Sequence, residues 1–330
     1  MMKKIINDVA AVEDEMIRGL VQSAPQRLRK LECGNVVVRA QKKIGRVALV
    51  SGGGSGHEPA HAGYVGLGML DCAVAGPVFT SPTPDQILEG IKAVATEEGV
   101  LCIVKNYTGD VMNFEMAIEM AQDEGIHAEY VIVNDDVAVQ DSLYTTGRRG
   151  VAGTVLVHKI AGAKAEQGAS LSEVKETAER VIRNVRSMGM AIGPCTVPAA
   201  GKPGFTLADD EMEIGIGIHG EPGVRREKLK SAHAIAEELL QIILADIDYT
   251  GHDVVVLVNG MGATPLMELY IVNAYVQEYL ESHGIHVHDT KVGNYMTSIE
   301  MAGFSLTLLK LDDELKVLYG QEAYTLAWHS

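Results

Sequence analysis

The chain has 330 residues and a formal net charge of −16, which argues against nucleic acid or an anionic membrane as a partner and predicts two α/β domains rather than one. Its four cysteines are widely spaced without a CxxC pair, so the sequence indicates neither a zinc site nor a disulfide framework. The N-terminal MMKKIIND has no apolar stretch and no apolar run approaches a membrane span, so we expect a cytoplasmic protein.

The first half of the chain alternates short apolar runs with helical or turn-rich stretches. After a helical segment within residues 8–31, apolar runs occur at residues 36–38, 47–50, 72–75, 100–104 and 130–133. This alternation predicts an α/β fold with a doubly wound, largely parallel sheet. Ligands of such sheets bind beyond the carboxyl ends of the strands, so the residues that follow each run are the candidates for a site.

The second apolar run is followed by SGGGSGHEP, residues 51–59. Three successive glycines permit positive φ and let a ligand approach the main chain, and Pro59 can open a helix, so we expect a strand-to-helix turn. A Walker A loop requires Gly-Lys-Ser/Thr, and a dinucleotide loop requires glycine where His57 stands. The segment therefore favours a small polar ligand beside His57, and the alternative is a tight turn with a solvent-facing histidine.

The fourth run is followed by KNYTGD, residues 105–110, and the fifth by NDD, residues 134–136. Asp110 is equally compatible with a helix N-cap and with a general base at the sheet edge. Lys105 adds a donor for a substrate oxygen. We expect all three segments to open onto one edge of the sheet.

The densest cluster of Pro and Gly, GPCTVPAAGKPG, spans residues 193–204 and predicts a domain boundary. We therefore expect an N-terminal α/β domain over residues 1–190, which holds the glycine segment, and a smaller C-terminal α/β domain over residues 191–330. Before the boundary, Ser170 and Glu173 have the spacing of a capping box. In the second domain, NGMGATP is expected to be structural, with Thr264 as N-cap and Pro265 at the first helical position.

The segment GIGIHG, residues 215–220, formally matches GxGxxG, but a lone match is weak. With a period of two, the isoleucines fall on one face of a strand and Gly215, Gly217 and His219 on the other. A face without side chains leaves room for a ligand to approach His219, and the alternative is a core histidine. Seven further histidines have no comparable setting: His61, His127, His158, His252, His283, His286 and His288.

Five segments in this order, SGGGSGHEPAHAGYVG, GPVFTSPTPDQI, KNYTGDVMNFEMA, IGIGIHGEPG and NGMGATPLMELY, resemble the K subunit of dihydroxyacetone kinases. The resemblance covers nearly the whole chain. It implies a two-domain homodimer in which His219 adds to the ketone carbonyl to give a covalent hemiaminal. It further implies that Gly54, Ser55, Gly56 and His57 surround the ketone, that Lys105 and Asp110 contact its hydroxyls, and that His57 and Asp110 act as acid and base.

The resemblance also implies partners. Members that use ATP alone are fused to a helical nucleotide-binding domain, for which this chain leaves no room after Ser330. We therefore expect the phosphoenolpyruvate-dependent type, in which a separate helical L subunit carries ADP or ATP with Mg and is recharged by a phosphotransferase-system protein. No cofactor is expected on this chain. Two alternatives stay open: a ketone-binding regulatory paralogue without turnover, and a dinucleotide-dependent oxidoreductase suggested by GIGIHG alone.

Overall fold

The computed structural model describes residues 3–139 and 146–330, which form two six-stranded sheets with helices on their faces. The helices are α1 (Val12–Gln22), α2 (Pro84–Val94), α3 (Thr108–Asp123), α4 (Thr154–Glu166), α5 (Leu171–Asn184), α6 (Ala232–Asp246), α7 (Leu266–Ser282) and α8 (Asp313–Tyr319). The strands are β1 (Leu28–Lys30), β2 (Val36–Arg39), β3 (Ala48–Ser55), β4 (Cys72–Val78), β5 (Val100–Lys105), β6 (Ala128–Val133), β7 (Val185–Gly193), β8 (Glu211–Ile214), β9 (Arg225–Lys228), β10 (Asp253–Gly260), β11 (His286–Gly293) and β12 (Ala302–Leu311).

The first sheet has the strand order β1-β2-β4-β3-β5-β6. Strands β4, β3, β5 and β6 are parallel, and β1 and β2 add an antiparallel edge. All five apolar runs of the first half contribute to strands, and the prediction of a largely parallel α/β sheet is confirmed. The carboxyl ends of β3, β5 and β6 meet at one edge, as expected for parallel neighbours.

The second sheet has the order β11-β10-β12-β7-β8-β9, and the prediction of a second α/β unit is confirmed. Strands β10 and β11 are parallel, whereas the other neighbours are antiparallel. Strand β7 already belongs to this sheet, because it pairs with β12 along most of its length. The sheet therefore begins at Val185, and a division between residues 190 and 191 passes through β7; the division into two domains stays a prediction.

Helices α4 and α5 lie between the two sheets in a shared core. This core combines Leu49 and Ile103 of the first sheet with Val255 and Leu309 of the second. All but two residues of α4 are buried, because a helix in a middle layer is covered on all sides. The outer faces are covered by α2 and α3 on the first sheet and by α6 and α7 on the second. No helix in the described ranges is long and apolar enough to cross a membrane.

The glycine segment folds differently from the predicted turn. Gly52, Gly53 and Gly54 lie inside β3, and the chain continues into a short 3-10 helix, Ala62–Tyr64, instead of an α-helix opened by Pro59. The glycines are needed because other backbone comes very close: a Cβ atom on Gly52 would lie 2.4 Å from the Val74 carbonyl oxygen. The prediction of a strand-to-helix turn at this position is therefore wrong.

Other local predictions have mixed outcomes. The Ser170 and Glu173 capping box is confirmed. The strand predicted through GIGIHG is wrong, because β8 ends at Ile214 and residues 215–220 form an irregular turn, although Ile216 and Ile218 are buried as the alternation indicated. The N-cap of α7 is Pro265 itself, since the Thr264 hydroxyl instead donates to the Gly303 carbonyl.

Candidate active site

A cavity of about 690 Å³ lies where the carboxyl edge of the first sheet meets the second unit. The first unit contributes its walls from β3, from the segment after β4 and from the start of α3. The second unit contributes the turn after β8. Its lining residues are Gly54, Phe79, Thr80, Ser81, Tyr107, Thr108, Gly109, Asp110, Gly204, Phe205, His219, Gly220, Glu221 and Pro222.

Two histidines from opposite units meet at this cavity. His57 follows β3 and is fully buried, and its Nε2 lies 3.0 Å from Nε2 of His219. His57 Nδ1 lies 2.8 Å from the carbonyl oxygen of Thr297, in the connection between β11 and β12. His219 keeps 18% of its side chain exposed and lines the cavity. Of the two, His219 is the histidine that a ligand in the cavity can reach.

Glu221 anchors His219 at two atoms. Its Oε1 lies 2.8 Å from His219 Nδ1, and its Oε2 accepts the backbone N–H of His219 at 2.9 Å. Burial alone would raise the pKa of Glu221, but His219 and Arg149 lower it to about 2. An ionised carboxylate at this position requires a proton on Nδ1 of His219, which leaves Nε2 as the nitrogen that faces the ligand.

The contacts of the two histidines fix their proton count. Both Nδ1 atoms face acceptors, a carbonyl for His57 and a carboxylate for His219, so both carry hydrogen. The 3.0 Å contact between the two Nε2 atoms then requires one additional, shared proton. Burial, His219 and Lys105 lower the pKa of His57 well below its usual value. The charged form of His57 is therefore disfavoured, so the proton between the two rings is readily given up.

The space beside Gly217 is filled by protein. A Cβ atom on Gly217 would lie 2.0 Å from Glu221 Oε2 and 2.6 Å from Arg149 Nη1. Arg149 is fully buried and is held by Asp136, which its Nε contacts at 2.8 Å, and by the Gly215 carbonyl. The glycine thus leaves room for the two side chains that set the electrostatics of His219, and not directly for a ligand.

Asp110 lines the same cavity, but it is not the helix cap. It is the third residue of α3, whose N-cap is Tyr107, so the capping alternative is wrong. Its Oδ1 accepts a hydrogen bond from the Ser81 hydroxyl at 2.5 Å, and its Oδ2 lies 3.5 Å from Lys105 Nζ. Asp110 therefore faces the cavity with one buried cation behind it.

The remaining predicted residues lie around this centre with different degrees of access. Gly54 lines the cavity wall. The Ser55 hydroxyl donates to the Gly76 carbonyl at 2.7 Å, and the Gly56 N–H donates to Glu58 at 3.1 Å. Lys105 is fully buried beneath Gly53, and burial lowers its pKa although Asp110 opposes the shift. The roles of these residues toward a ligand stay predictions.

Several residues that shape the site were not predicted from the sequence. Glu221 follows His219 by two positions, and this spacing was a usable signal. Tyr107 presents its ring edge to His219, with 4.6 Å between ring centroids, and its buried hydroxyl has no hydrogen-bond partner within the described residues. Arg149 carried no signal, because nothing in its local sequence indicates that it packs against a turn of the second unit.

Comparisons with known proteins lead both to dihydroxyacetone kinases and to an operon co-activator. A family model described as the Dak1 domain matches residues 18–327. The PTS-dependent dihydroxyacetone kinase 1, dihydroxyacetone-binding subunit DhaK, of Listeria innocua is 58% identical over 329 residues, covering 99% of this chain and 100% of that protein. The crystal structure of the native dihydroxyacetone kinase of C. freundii superposes with a TM-score of 0.90 at 36% identity. The match covers 100% of this chain and 61% of the kinase chain. A dihydroxyacetone kinase operon co-activator, DhaQ, has a TM-score of 0.90 and 41% identity, covering 96% and 98%.

Proposed function

Since the chain belongs to the Dak1 domain family, we propose that it is the dihydroxyacetone-binding subunit of a phosphotransferase-system-linked dihydroxyacetone kinase in the cytoplasm. It binds the ketone covalently on His219 and presents a hydroxyl group for phosphorylation. The observation that carries the proposal is the arrangement of His219 between Glu221 and His57, on a cavity that also contains Asp110.

Covalent binding begins with the shared proton of the two histidines. The ketone reaches Nε2 of His219 from the cavity, the shared proton moves to His57, and the lone pair of His219 Nε2 forms a bond to the carbonyl carbon. The π electrons of the C=O bond move to its oxygen, which takes the proton from His57. His57 is suited to this transfer because its lowered pKa makes it a poor place to keep a proton.

Glu221 supports this step at both of its stages. Before addition, it holds the proton on Nδ1 and so directs Nε2 toward the ketone. After addition, the ring carries a substituent on Nε2 and a hydrogen on Nδ1, and hence a positive charge. The carboxylate of Glu221, with its pKa near 2, remains ionised beside that charge and stabilises the hemiaminal.

Asp110 acts in the second step, as the base for the hydroxyl that receives the phosphoryl group. It faces the same cavity as His219, and the Ser81 hydroxyl fixes one of its oxygens. The other oxygen is near Lys105, whose positive charge favours the ionised form. Phosphoryl transfer requires the nucleophile and the donor to be in line with water excluded, so the donor must dock over this cavity.

The phosphoryl donor belongs to a partner in this proposal. A helical L subunit carries ADP or ATP with Mg, is recharged by a phosphotransferase-system phosphocarrier, and docks on a homodimer of this chain. The relative from Listeria innocua, named as a PTS-dependent subunit, supports this assignment over a kinase that uses ATP alone. The strong net negative charge of the chain predicts a locally basic docking face on the partner.

A regulatory role is the second candidate, because a solved operon co-activator is 41% identical to this chain. In that case the protein binds the ketone and signals through a partner without turnover. The presence of Asp110 with its Ser81 and Lys105 contacts favours the kinase subunit, since a protein that only binds the ketone does not need a base for phosphoryl transfer.

One pair of measurements tests the function. Crystals soaked with dihydroxyacetone should show continuous density between His219 Nε2 and the ketone carbon, and His219→Ala should show none. Adding the nucleotide-loaded L subunit to the wild-type chain should then give dihydroxyacetone phosphate. Absence of the covalent density refutes the role of His219, whereas normal covalent binding without turnover supports the co-activator alternative.

A further inference from the structure

Two buried histidines behind the site, His61 and His158, take no part in the chemistry described above. His61 lies between β3 and β4, and His158 lies in the fully packed helix α4. His61 Nε2 is 2.9 Å from Lys105 Nζ, and His61 Nδ1 is 3.0 Å from His158 Nε2. The contacts form a continuous chain from α4 through Lys105 to the Asp110 carboxylate.

The surroundings of Lys105 account for every hydrogen of its ammonium group. An ammonium group has three donors and no acceptor. Within bonding distance of Lys105 Nζ are the Gly52 carbonyl at 3.2 Å, His61 Nε2 at 2.9 Å and, at the longer distance of 3.5 Å, Asp110 Oδ2. Each donor therefore has one acceptor, and His61 supplies the nearest of the three.

This arrangement fixes the tautomers of both histidines. His61 Nε2 accepts from the lysine, so its proton is on Nδ1, where it is donated to His158 Nε2. The Ser51 hydroxyl, 3.4 Å from His61 Nδ1, is not a donor to that nitrogen, because it donates its hydrogen to the Ile103 carbonyl at 2.6 Å. His158 must then be protonated on Nδ1, an atom that has no hydrogen-bond partner in the described part of the chain.

We propose that His61 and His158 are positioning residues that keep Lys105 charged and directed at Asp110. A buried ammonium group that loses one of its three acceptors is left with an unsatisfied donor, which disfavours its charged form. Neutral Lys105 would no longer stabilise the Asp110 carboxylate. The histidines thus maintain the ion pair, and the consequence for catalysis rests on the proposed role of Asp110 as base.

The other groups that face this pair do not replace the histidines. Lys105 is faced by His57 after β3, by His61, by His158 from α4 and by Asp110 from α3. Asp110 is faced by Lys105 and Tyr107. Burial, with Lys105, lowers the pKa of His61 well below its usual value and that of His158 to about 3, so both stay neutral acceptors. Tyr107 is neutral too, since burial raises its pKa.

Two substitutions of His61 separate its two nitrogens. In His61→Gln, the amide oxygen reaches the position of Nε2 and preserves an acceptor for Lys105. In His61→Asn, the shorter side chain reaches only the position of Nδ1, so Lys105 loses the acceptor that Nε2 provides. Both variants are polar and smaller than histidine, so general damage to the core should affect them alike. The pair therefore isolates the bond to Lys105.

The first measurement does not depend on catalysis. With ¹³C-labelled lysine and ¹⁵N-labelled histidine, NMR should show that Nε2 is unprotonated in both His61 and His158 of the wild type. The titration midpoint of Lys105 should fall by about one pH unit or more in His61→Asn and stay near the wild-type value in His61→Gln. A protonated Nε2 on His61, or equal midpoints in the two variants, overturns the proposal.

The second measurement follows turnover with the L subunit against pH. Lys105 loses its charge as the pH rises, so the alkaline limb of the profile should move to lower pH in His61→Asn but not in His61→Gln. A limb that stays in place in His61→Asn, despite a lowered Lys105 midpoint, refutes the link to Asp110. If the wild type shows no turnover at all, the proposed function fails, whereas the NMR result still decides whether the histidines hold the Lys105 charge.

Discussion

Replacing Gly217 with alanine is expected to weaken covalent binding of dihydroxyacetone by about 10- to 150-fold. The added Cβ would lie 2.0 Å from Glu221 Oε2 and 2.6 Å from Arg149 Nη1, whereas ordinary contacts begin near 3.4 Å. Arg149 is held by Asp136, so the Glu221 carboxylate has to move by roughly 1 Å or more. That displacement breaks its 2.8 Å contact with His219, a charge-assisted hydrogen bond of about 1.5–3 kcal/mol.

The matched control for this substitution is Gly204→Ala. Gly204 lines the same cavity, but a Cβ atom there would meet its nearest neighbour at 3.8 Å, which is an ordinary contact. Equilibrium binding of [2-¹³C]dihydroxyacetone, followed by the NMR signal of the tetrahedral carbon, measures the hemiaminal directly. Equal affinities of Gly217→Ala and the wild type, or an equal loss in Gly204→Ala, would show that the contact between Glu221 and His219 does not control covalent binding.

Three further outcomes are expected. Asp110→Asn should still form the hemiaminal, as measured by the same NMR signal, but its turnover with the L subunit should fall by about 100-fold or more. Unchanged turnover would show that Asp110 is not the base. The pKa of Glu221 is lowered from 4.5 to about 2, so its ionisation stabilises the fold above pH 4.5 and loses this effect as the pH falls toward 2. Between pH 5 and 3, the free energy of unfolding should therefore fall more steeply in the wild type than in Glu221→Gln. The difference between the two proteins should reach about 3 kcal/mol over the whole titration. Parallel curves would contradict an ionised Glu221 beside His219. Finally, the purified chain with dihydroxyacetone, ATP and Mg²⁺ should not consume ATP until the L subunit is added, and partner-independent turnover would refute the subunit assignment.

The sheets were predictable from the sequence because their signals are local. Runs such as residues 100–104 are apolar throughout, as expected of strands covered on both faces, and the intervening stretches have crossover length. The same logic located the functional edge, since Lys105 ends β5 and His57 follows β3. The apolar strands and the residues at their carboxyl ends can be recognised within short segments, without knowing which distant residues they contact.

The errors arose where distant parts of the chain meet. Gly52 and Gly54 were taken for a loop, but their role is to let the backbone of residues 74–80 approach β3, a contact that composition does not reveal. The contact of His57 with His219 joins residues 162 positions apart, and only the family resemblance suggested that they share a site. Arg149 is held by Asp136 and donates to the Gly215 carbonyl in the turn after β8, a contact that local sequence could not indicate.

The shared core between the sheets has a consequence for how this protein is made on the ribosome. Helices α4 and α5 are complete after residue 184, but Val255 and Leu309, which belong to the same core, are synthesised about 70 to 125 residues later. At about 5–20 residues per second, the nascent chain exposes this apolar layer for several seconds or more. The core between the two sheets can therefore close only after β12 leaves the exit tunnel, so the protein is expected to complete its fold late in translation.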